Sequence, residues 1–285
     1  MGRILTYGNL AAQARARLET HYPPGEARAM VRVIFERLKG FTATDMAIKS
    51  DEEASDFIAR KVEQTVDRLI ADEPIQYIFG VADFYGLEFK VTPDVLIPRP
   101  ETAELVDMIV DENKERKELA VMDLCTGSGC IACSLARNLP FSNVSAVDIS
   151  DAALAVAKEN AAALKTAVDF RHADVLHMDA QTGVYDIIVS NPPYIAEKEK
   201  AAMEANVLDH EPHSALFVPD SDPLLFYRAI AGYASESLKQ GGCLYLEINP
   251  DYTDMLRDTL AKNGFTDIDI RRDSFGKNRF AVAKL

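Results

Sequence analysis

The chain has 285 residues, 48% of them apolar, and a formal net charge of −14. That length exceeds what one hydrophobic core ordinarily serves, so two domains are expected. No run approaches the ~18 apolar residues of a membrane span, and the acidity argues against a general phosphate-neutralising surface, leaving room only for a local basic patch.

At the start, Met1-Gly2-Arg3-Ile4 lacks the apolar region of a signal peptide. Met1-Gly2 with Thr6 formally meets the myristoylation pattern, which is set aside because nothing nearby supports membrane attachment. A cytoplasmic location is expected.

Residues 1–72 read as a small helical domain. Residues 10–18 are rich in Ala and Arg, and Pro23-Pro24-Gly25 breaks the chain. Met30, Ile34 and Leu38 then recur every fourth residue until Gly40 ends that helix. Thr44 is expected to cap a short helix. Ser50 or Asp51 is expected to cap a longer one, with Ile58, Val62, Val66 and Leu69 on one face. No catalytic cluster stands here, so the domain packs or docks a partner.

Residues 73–98 read as a hairpin connector. Pro74-Ile75-Gln76-Tyr77-Ile78-Phe79-Gly80 changes the texture, and residues 84–91 alternate as a hairpin with Gly86 near the turn. In Leu96-Ile97-Pro98-Arg99-Pro100-Glu101-Thr102 the prolines hold an extended backbone from which Arg99 and Glu101 project as candidate substrate contacts. A helix over 102–112 follows.

From residue 99 onward strands and helices alternate, the mark of a doubly wound, Rossmann-like α/β sheet. Strands are expected at 119–124, 144–147, 168–171 and 186–190, with helices at 130–139 and 151–164. A polar connection spans 197–222, and a helix over 222–238 is stopped by Gly241-Gly242. Cys243-Leu244-Tyr245-Leu246-Glu247 is a fifth strand, a helix follows Asn249-Pro250, Ile268 and Ile270 mark a sixth strand, and 280–283 the last.

Cys125, Cys130 and Cys133 have the spacing of plant-type iron–sulfur proteins, with Cys243 far downstream. A strand, glycine turn and helix do not wrap a cluster, so the four read as small, buried, reduced thiols. His210 and His213 flank Glu211-Pro212 without a set of metal-binding spacing, and no metal is expected.

Gly127-Ser128-Gly129-Cys130-Ile131-Ala132 fits the glycine-rich dinucleotide pattern, with Asp148 about twenty residues beyond to hold a ribose diol. Alone, this leaves NAD and S-adenosylmethionine both open. Asp123, just before the turn, suits a methionine ammonium group, directly or through water. Asp174, after the third strand, suits an adenine amino group. A pyrophosphate requires neither.

The fourth strand ends in Asn191-Pro192-Pro193-Tyr194. Two prolines donate no backbone N–H, so the loop presents acceptors: the Asn191 side-chain carbonyl and the carbonyls around Pro192. Tyr194 adds an aromatic face. Acceptors gripping the two hydrogens of an N–H₂ group localise and aim its delocalised lone pair. They also stabilise the positive charge that develops as the nitrogen attacks. The carboxyl end of a buried strand is where such sheets bind ligands.

On these residues the chain resembles the release-factor glutamine N5-methyltransferases, a family of class I S-adenosylmethionine-dependent methyltransferases. The resemblance runs through the helical domain, Pro74 to Gly80, Val95-Leu96-Ile97-Pro98-Arg99-Pro100-Glu101-Thr102, Asp123-Leu124-Cys125-Thr126-Gly127-Ser128-Gly129, Asn191-Pro192-Pro193-Tyr194-Ile195, and Glu211-Pro212 with Ala215-Leu216. It implies methyl transfer from S-adenosyl-L-methionine, leaving S-adenosyl-L-homocysteine, to the Gln of the Gly-Gly-Gln motif in peptide chain release factors. It further implies that Cys125, Thr126, Gly127, Ser128, Gly129 and Asp148 bind the cofactor, with Asp123, Asp174, Val175 and Asn191 beside them. Asn191, Pro192, Pro193 and Tyr194 would bind the Gln, and Asn191, Pro192 and Tyr194 would carry catalysis. The chain departs from the pattern at Val175, where relatives often carry an aromatic residue. It departs again at Val218-Pro219-Asp220-Ser221-Asp222, which replaces a glycine-rich stretch.

Two other classes share these motifs. One is a nucleic-acid amino methyltransferase acting on adenine N6 or guanine N2, against which the acidity weighs. The other is an NAD-binding oxidoreductase or a non-catalytic binding module, and comparing S-adenosylmethionine with NADH in a binding assay separates it.

Overall fold

The computed structural model describes residues 5–285. The expectations for Met1-Gly2-Arg3-Ile4 lie outside them. Among the described residues no helix is long and apolar enough to cross a membrane. The chain divides into two compact units: Met1–Gly80 with Ala205–His210, and Val81–Glu204 with Glu211–Leu285.

The first unit is helical, with α1 (Tyr7–Leu18), α2 (Pro24–Lys39), α3 (Ala43–Ile48), α4 (Asp56–Ile70) and α5 (Ile75–Phe79). Pro24 stands in the first turn of α2, where a missing N–H costs nothing, and Gly40 closes that helix at φ 67°. Two expected caps shift. Thr42, not Thr44, caps α3: its Oγ1 accepts from Asp45 N at 3.1 Å, and Asp45 Oδ2 accepts from Thr42 N at 3.0 Å. Ser55, not Ser50 or Asp51, caps α4. The backbone around Ser50 is already engaged, since Gly8 N donates to Ser50 O and Tyr7 N to Glu52 O. Leu18, Ile34, Phe35, Val62, Val66 and Leu69 form the core, and Ile75, Ile78 and Phe79 pack against it.

The second unit opens with a hairpin, β1 (Val81–Phe84) and β2 (Leu87–Lys90), and continues α6 (Pro100–Asn113), β3 (Ala120–Leu124), α7 (Cys130–Asn138), β4 (Asn143–Asp148), α8 (Asp151–Leu164), β5 (Val168–His172), β6 (Tyr185–Ser190) and β7 (Ile195–Ala196). After α9 (Ala205–His210), which belongs to the first unit, come β8 (Phe217–Val218), α10 (Leu225–Ser237), β9 (Leu238–Glu247), α11 (Thr253–Lys262), β10 (Thr266–Arg272) and β11 (Asn278–Lys284).

The main sheet runs β10-β11-β9-β6-β3-β4-β5. β5, β4, β3, β6 and β9 are parallel, and β11 lies antiparallel between β9 and β10. Successive residues of the central strands face opposite layers. Val121, Ile187 and Val189 pack with Leu105, Ile109 and Leu135 on one side. Met122, Leu124 and Ile188 pack with Tyr227, Ile230, Leu256 and Leu260 on the other. The chain leaves β3 toward β4 and β5, then returns to lay β6 on the other side of β3. That reversal opens a crevice at the carboxyl ends of β3 and β6.

One local reading is corrected and two are refined. Gly241-Gly242 does not stop α10, which ends at Ser237; both glycines lie within β9. Pairing with β6 jumps from Tyr185↔Leu238 to Ile187↔Cys243, so residues 239–242 bulge out. A Cβ on Gly242 would come 2.8 Å from Lys239 O, which is why glycine stands there. Asn249-Pro250 leads first into a short 3₁₀ turn, Pro250–Tyr252, and only then into α11. The polar connection over 197–222 carries α9 and β8, and β8 pairs in parallel with β7, which immediately precedes the connection.

Candidate functional site

A cavity of about 350 Å³ lies at the carboxyl ends of β3, β4 and β6. It is lined by the turn Cys125 to Ser128 with Asp148, Asp174 and Val175, by Val95, Leu96, Pro98 and Arg99, by Pro212, Ala215 and Phe217, and by Asn191 and Pro193.

The turn is tight because three of its residues take left-handed backbone: Cys125 at φ 61°, Gly127 at 53° and Gly129 at 77°. A Cβ on Gly129 would press on Ala157 Cβ at 3.1 Å, so that glycine lets α7 approach α8. A Cβ on Gly127 would meet no protein atom. Its backbone faces open space in the cavity, the requirement for close approach to a ligand. Asn160 ties the turn to the hairpin: Nδ2 donates to Ser128 O at 2.9 Å, and Oδ1 accepts from Lys90 N at 2.7 Å.

Asp148 ends β4. Its Oδ2 accepts from Gly127 N at 2.8 Å and its Oδ1 from Ser150 N at 2.9 Å. A carboxylate has about four lone-pair sites, so two remain for a diol. Asp174 Oδ1 accepts from Leu176 N at 2.9 Å, and His177 Nδ1 lies 2.7 Å from Oδ2. That histidine contact, ahead of the backbone bond, holds its carboxyl below the usual range. Asp123 is fully buried and does not line the cavity. Its Oδ2 accepts from Thr126 Oγ1 at 2.6 Å while Oδ1 has no hydrogen-bond partner. Burial pushes it up to about 7. Its route to the cavity is through Thr126, which does line it.

Asn191 Nδ2 donates to Thr102 Oγ1 at 3.1 Å, leaving Oδ1 as the free end. Pro192 is buried between Asn191 and Pro193, which both line the cavity. Tyr194 is fixed at both ends: its hydroxyl donates to Glu247 Oε1 at 2.9 Å and its carbonyl accepts from Asn249 Nδ2 at 3.1 Å. Arg99 lines the cavity with its guanidinium held by Glu211 Oε1 at 2.5 Å, and Glu211 Oε2 accepts from Ile97 N at 3.2 Å. Glu101 does not line it.

The structure therefore gathers Arg99, Cys125 to Ser128, Asp148, Asp174, Val175, Asn191 and Pro193 around one cavity, while Asp123, Gly129, Pro192, Tyr194 and Glu101 lie within two residues of lining positions in the chain without lining it themselves. It adds Thr102, Glu247, Asn249 and the buried Glu211. Glu247 had a visible signal, an acid at the carboxyl end of an apolar strand, the same place Asp148 occupies on β4.

All four cysteines are free. Burial raises each thiol: Cys130 to about 12, Cys133 and Cys243 to about 11, and Cys125 likewise upward. Among the described residues no group of three His, Cys, Asp or Glu is placed to hold a metal.

An open glycine backbone, an acid with two lone-pair sites unused and apolar lining fit S-adenosylmethionine. With Asn-Pro-Pro-Tyr on the neighbouring strand, this fold and lining fit a methyltransferase of the amino and amide type. Residues 102–215 match the methyltransferase small domain, and residues 9–80 match the PrmC N-terminal domain. The chain is 50% identical over 276 residues to the release factor glutamine methyltransferase of Bacteroides thetaiotaomicron, covering 96% of this chain and 98% of that one. It is 39% identical over 274 residues to the same enzyme of Flavobacterium psychrophilum, covering 95% and 96%. The chain belongs to the release factor glutamine methyltransferase family, and its cofactor is S-adenosylmethionine. A solved methyltransferase from Pyrococcus furiosus shares the fold at a TM-score of 0.50 and 15% identity, covering 78% of this chain and 98% of that one.

Proposed function

We propose that this protein methylates the side-chain amide nitrogen (N5) of the glutamine in the Gly-Gly-Gln motif of peptide chain release factors. The observation that carries the reading is the free Oδ1 of Asn191 at the cavity wall, since its Nδ2 is already engaged by Thr102. Asn191 Oδ1 and the Pro192 carbonyl would each accept one N–H of the substrate amide. Held this way the nitrogen lone pair is localised and aimed, and the charge developing on nitrogen meets oriented dipoles. Tyr194, immobilised by Glu247 and Asn249, would pack on the amide plane. Bound S-adenosylmethionine would supply an electrophilic methyl group, its sulfur keeping the C–S bonding pair, and the amide nitrogen held by Asn191 and Pro192 would lose one proton to water in exchange for the methyl.

Cys125 to Gly129 and Asp148 would hold that cofactor, with Asp174 on the adenine amino group and Val175 against the ring. Asp123 would act on the ammonium group through Thr126. Arg99 and Glu101 would meet the protein substrate beside the glutamine. The first unit, which carries no such constellation, would dock the release factor, since a protein substrate needs an interface of ~1,600 Å² in total. Four free thiols, three of them buried, suit a reducing cytoplasm.

The test is methyl transfer in vitro to purified release factors, with the product mapped by mass spectrometry. One added methyl on the Gly-Gly-Gln glutamine is expected. Transfer to adenine or guanine in nucleic acid, and none to release factors, would overturn the reading in favour of a nucleic-acid enzyme.

A further inference from the structure

The acceptor role of Asn191 works only if its amide is held one way round. The oxygen accepts, the N–H₂ donates, and the two ends are nearly equal in shape. Turned over, the side chain would offer hydrogens to a substrate amide whose own hydrogens must be gripped. Nothing within Asn-Pro-Pro-Tyr chooses between the two.

The choice is made by α6 and β9. Thr102 Oγ1 lies 2.7 Å from Glu247 Oε2 and 3.1 Å from Asn191 Nδ2. A carboxylate only accepts, so the one hydroxyl hydrogen of Thr102 goes to Glu247. The hydroxyl oxygen then has only lone pairs for Asn191, and only the N–H₂ end can meet it. The second oxygen of the same carboxylate accepts from Tyr194 at 2.9 Å. Thr102 and Glu247 are each 2% exposed, so water does not readily substitute for either bond. Burial pushes the Glu247 carboxyl up, while the Thr102 and Tyr194 hydroxyls and the charge of Arg279 favour its ionised form.

We propose that Glu247 and Thr102 are positioning residues that set the polarity of the site, turning Asn191 Oδ1 toward the substrate N–H₂ while fixing Tyr194. This rests on the reading of Asn191 as the glutamine acceptor. The arrangement also sets specificity. A site locked into acceptors receives an N–H₂ and repels a carboxylate, so it takes glutamine and rejects glutamate.

The test uses the full chain with a purified release factor. Thr102→Val removes the hydroxyl at nearly constant volume. It should lower kcat by about 10- to 100-fold, the scale of a misaligned reacting group, with cofactor affinity held within about twofold. Thr102→Ser should restore most of the rate. Adding Thr102→Val to Asn191→Ala should cost nothing further, because no amide is left to orient. A second readout is independent of turnover: in protein labelled with ¹⁵N-asparagine, the Asn191 side-chain amide protons should exchange slowly in wild type and Thr102→Ser, and faster in Thr102→Val. Wild-type kcat in Thr102→Val, failure of serine to rescue, full multiplication of the effect on Asn191→Ala, or unchanged exchange would each overturn the relay. A wild type that methylates no release factor would overturn the substrate reading instead, and the exchange measurement would still judge the relay.

Discussion

Replacing Asp123 by Asn should stabilise the ligand-free protein at pH 8 and leave it nearly unchanged at pH 4. Asp123 is fully buried, one of its oxygens has no partner, and burial raises its pKa from 3.8 to about 7. Below the unfolded value both states carry the proton, so the group has no effect. Between about 4 and 7 the unfolded chain releases the proton while the folded one keeps it, and stability falls by roughly 1.4 kcal/mol per pH unit. Above 7 both states are ionised and the penalty levels off at about 4 kcal/mol. An asparagine avoids this while still accepting from Thr126. At roughly 2–4 °C per kcal/mol for a domain of this size, the melting temperatures should separate by about 10 °C. Scanning calorimetry of both proteins from pH 4.5 to 8.5 measures it. The curves should meet at the acid end and diverge up to pH 7, with the mutant higher. Wild type gaining on the mutant as pH rises would show that the ionised carboxylate is favoured in the fold, and the argument would fail.

Asp148→Ala should weaken S-adenosylmethionine binding by about 1–3 kcal/mol, the scale of a charge-assisted hydrogen bond; unchanged affinity by calorimetry in a folded mutant would remove Asp148 from the site. Asn191→Ala should leave cofactor affinity nearly intact and lower kcat by about 10²–10³, and Asn191→Asp should fail too because it changes charge and donor pattern. Wild-type turnover in either would end the acceptor proposal. Removing the helical unit by starting the chain near Asp72, or at Val81 to take α5 with it, should raise KM for intact release factor before it changes kcat. Equal KM in folded truncated and full-length protein would show that this unit does not bind the substrate.

Much of the fold was legible because its signals are local. The helical periodicities, the hairpin around Gly86 and each strand and helix after residue 99 are written in short stretches, and the parallel strands β3 to β6 lie within a residue of their expected places, whereas β9 begins five residues before the expected 243. The caps were misplaced because capping depends on what else the backbone is doing: Ser50 is a good cap by type, but its carbonyl already accepts from Gly8. Gly241-Gly242 reads as a stop because glycine ends helices more often than it makes a bulge, and only pairing with β6 distinguishes the two.

The site divides the same way. Asp148 and the turn were legible because Gly127 and Asp148 serve one another across a short stretch, linked by the 2.8 Å bond. The Asn191 relay was not. Thr102 lies 89 residues from Asn191 and 145 from Glu247, and its hydroxyl reads locally as an ordinary first-turn threonine. What the sequence does display is the problem the relay solves. An ionisable group at the end of a buried, apolar strand must find donors or lose its charge. Asp123 and Glu247 are both such groups, on β3 and β9 of one sheet. Asp123 has one donor and an orphan oxygen, and its burial penalty stands largely unanswered. Glu247 has donors on both oxygens, Thr102 and Tyr194. The difference between them is therefore a difference of topology. β9 ends where α6 and the Asn191 loop supply hydroxyls to its acid, whereas the acid of β3 reaches only the turn that follows its own strand, through Thr126.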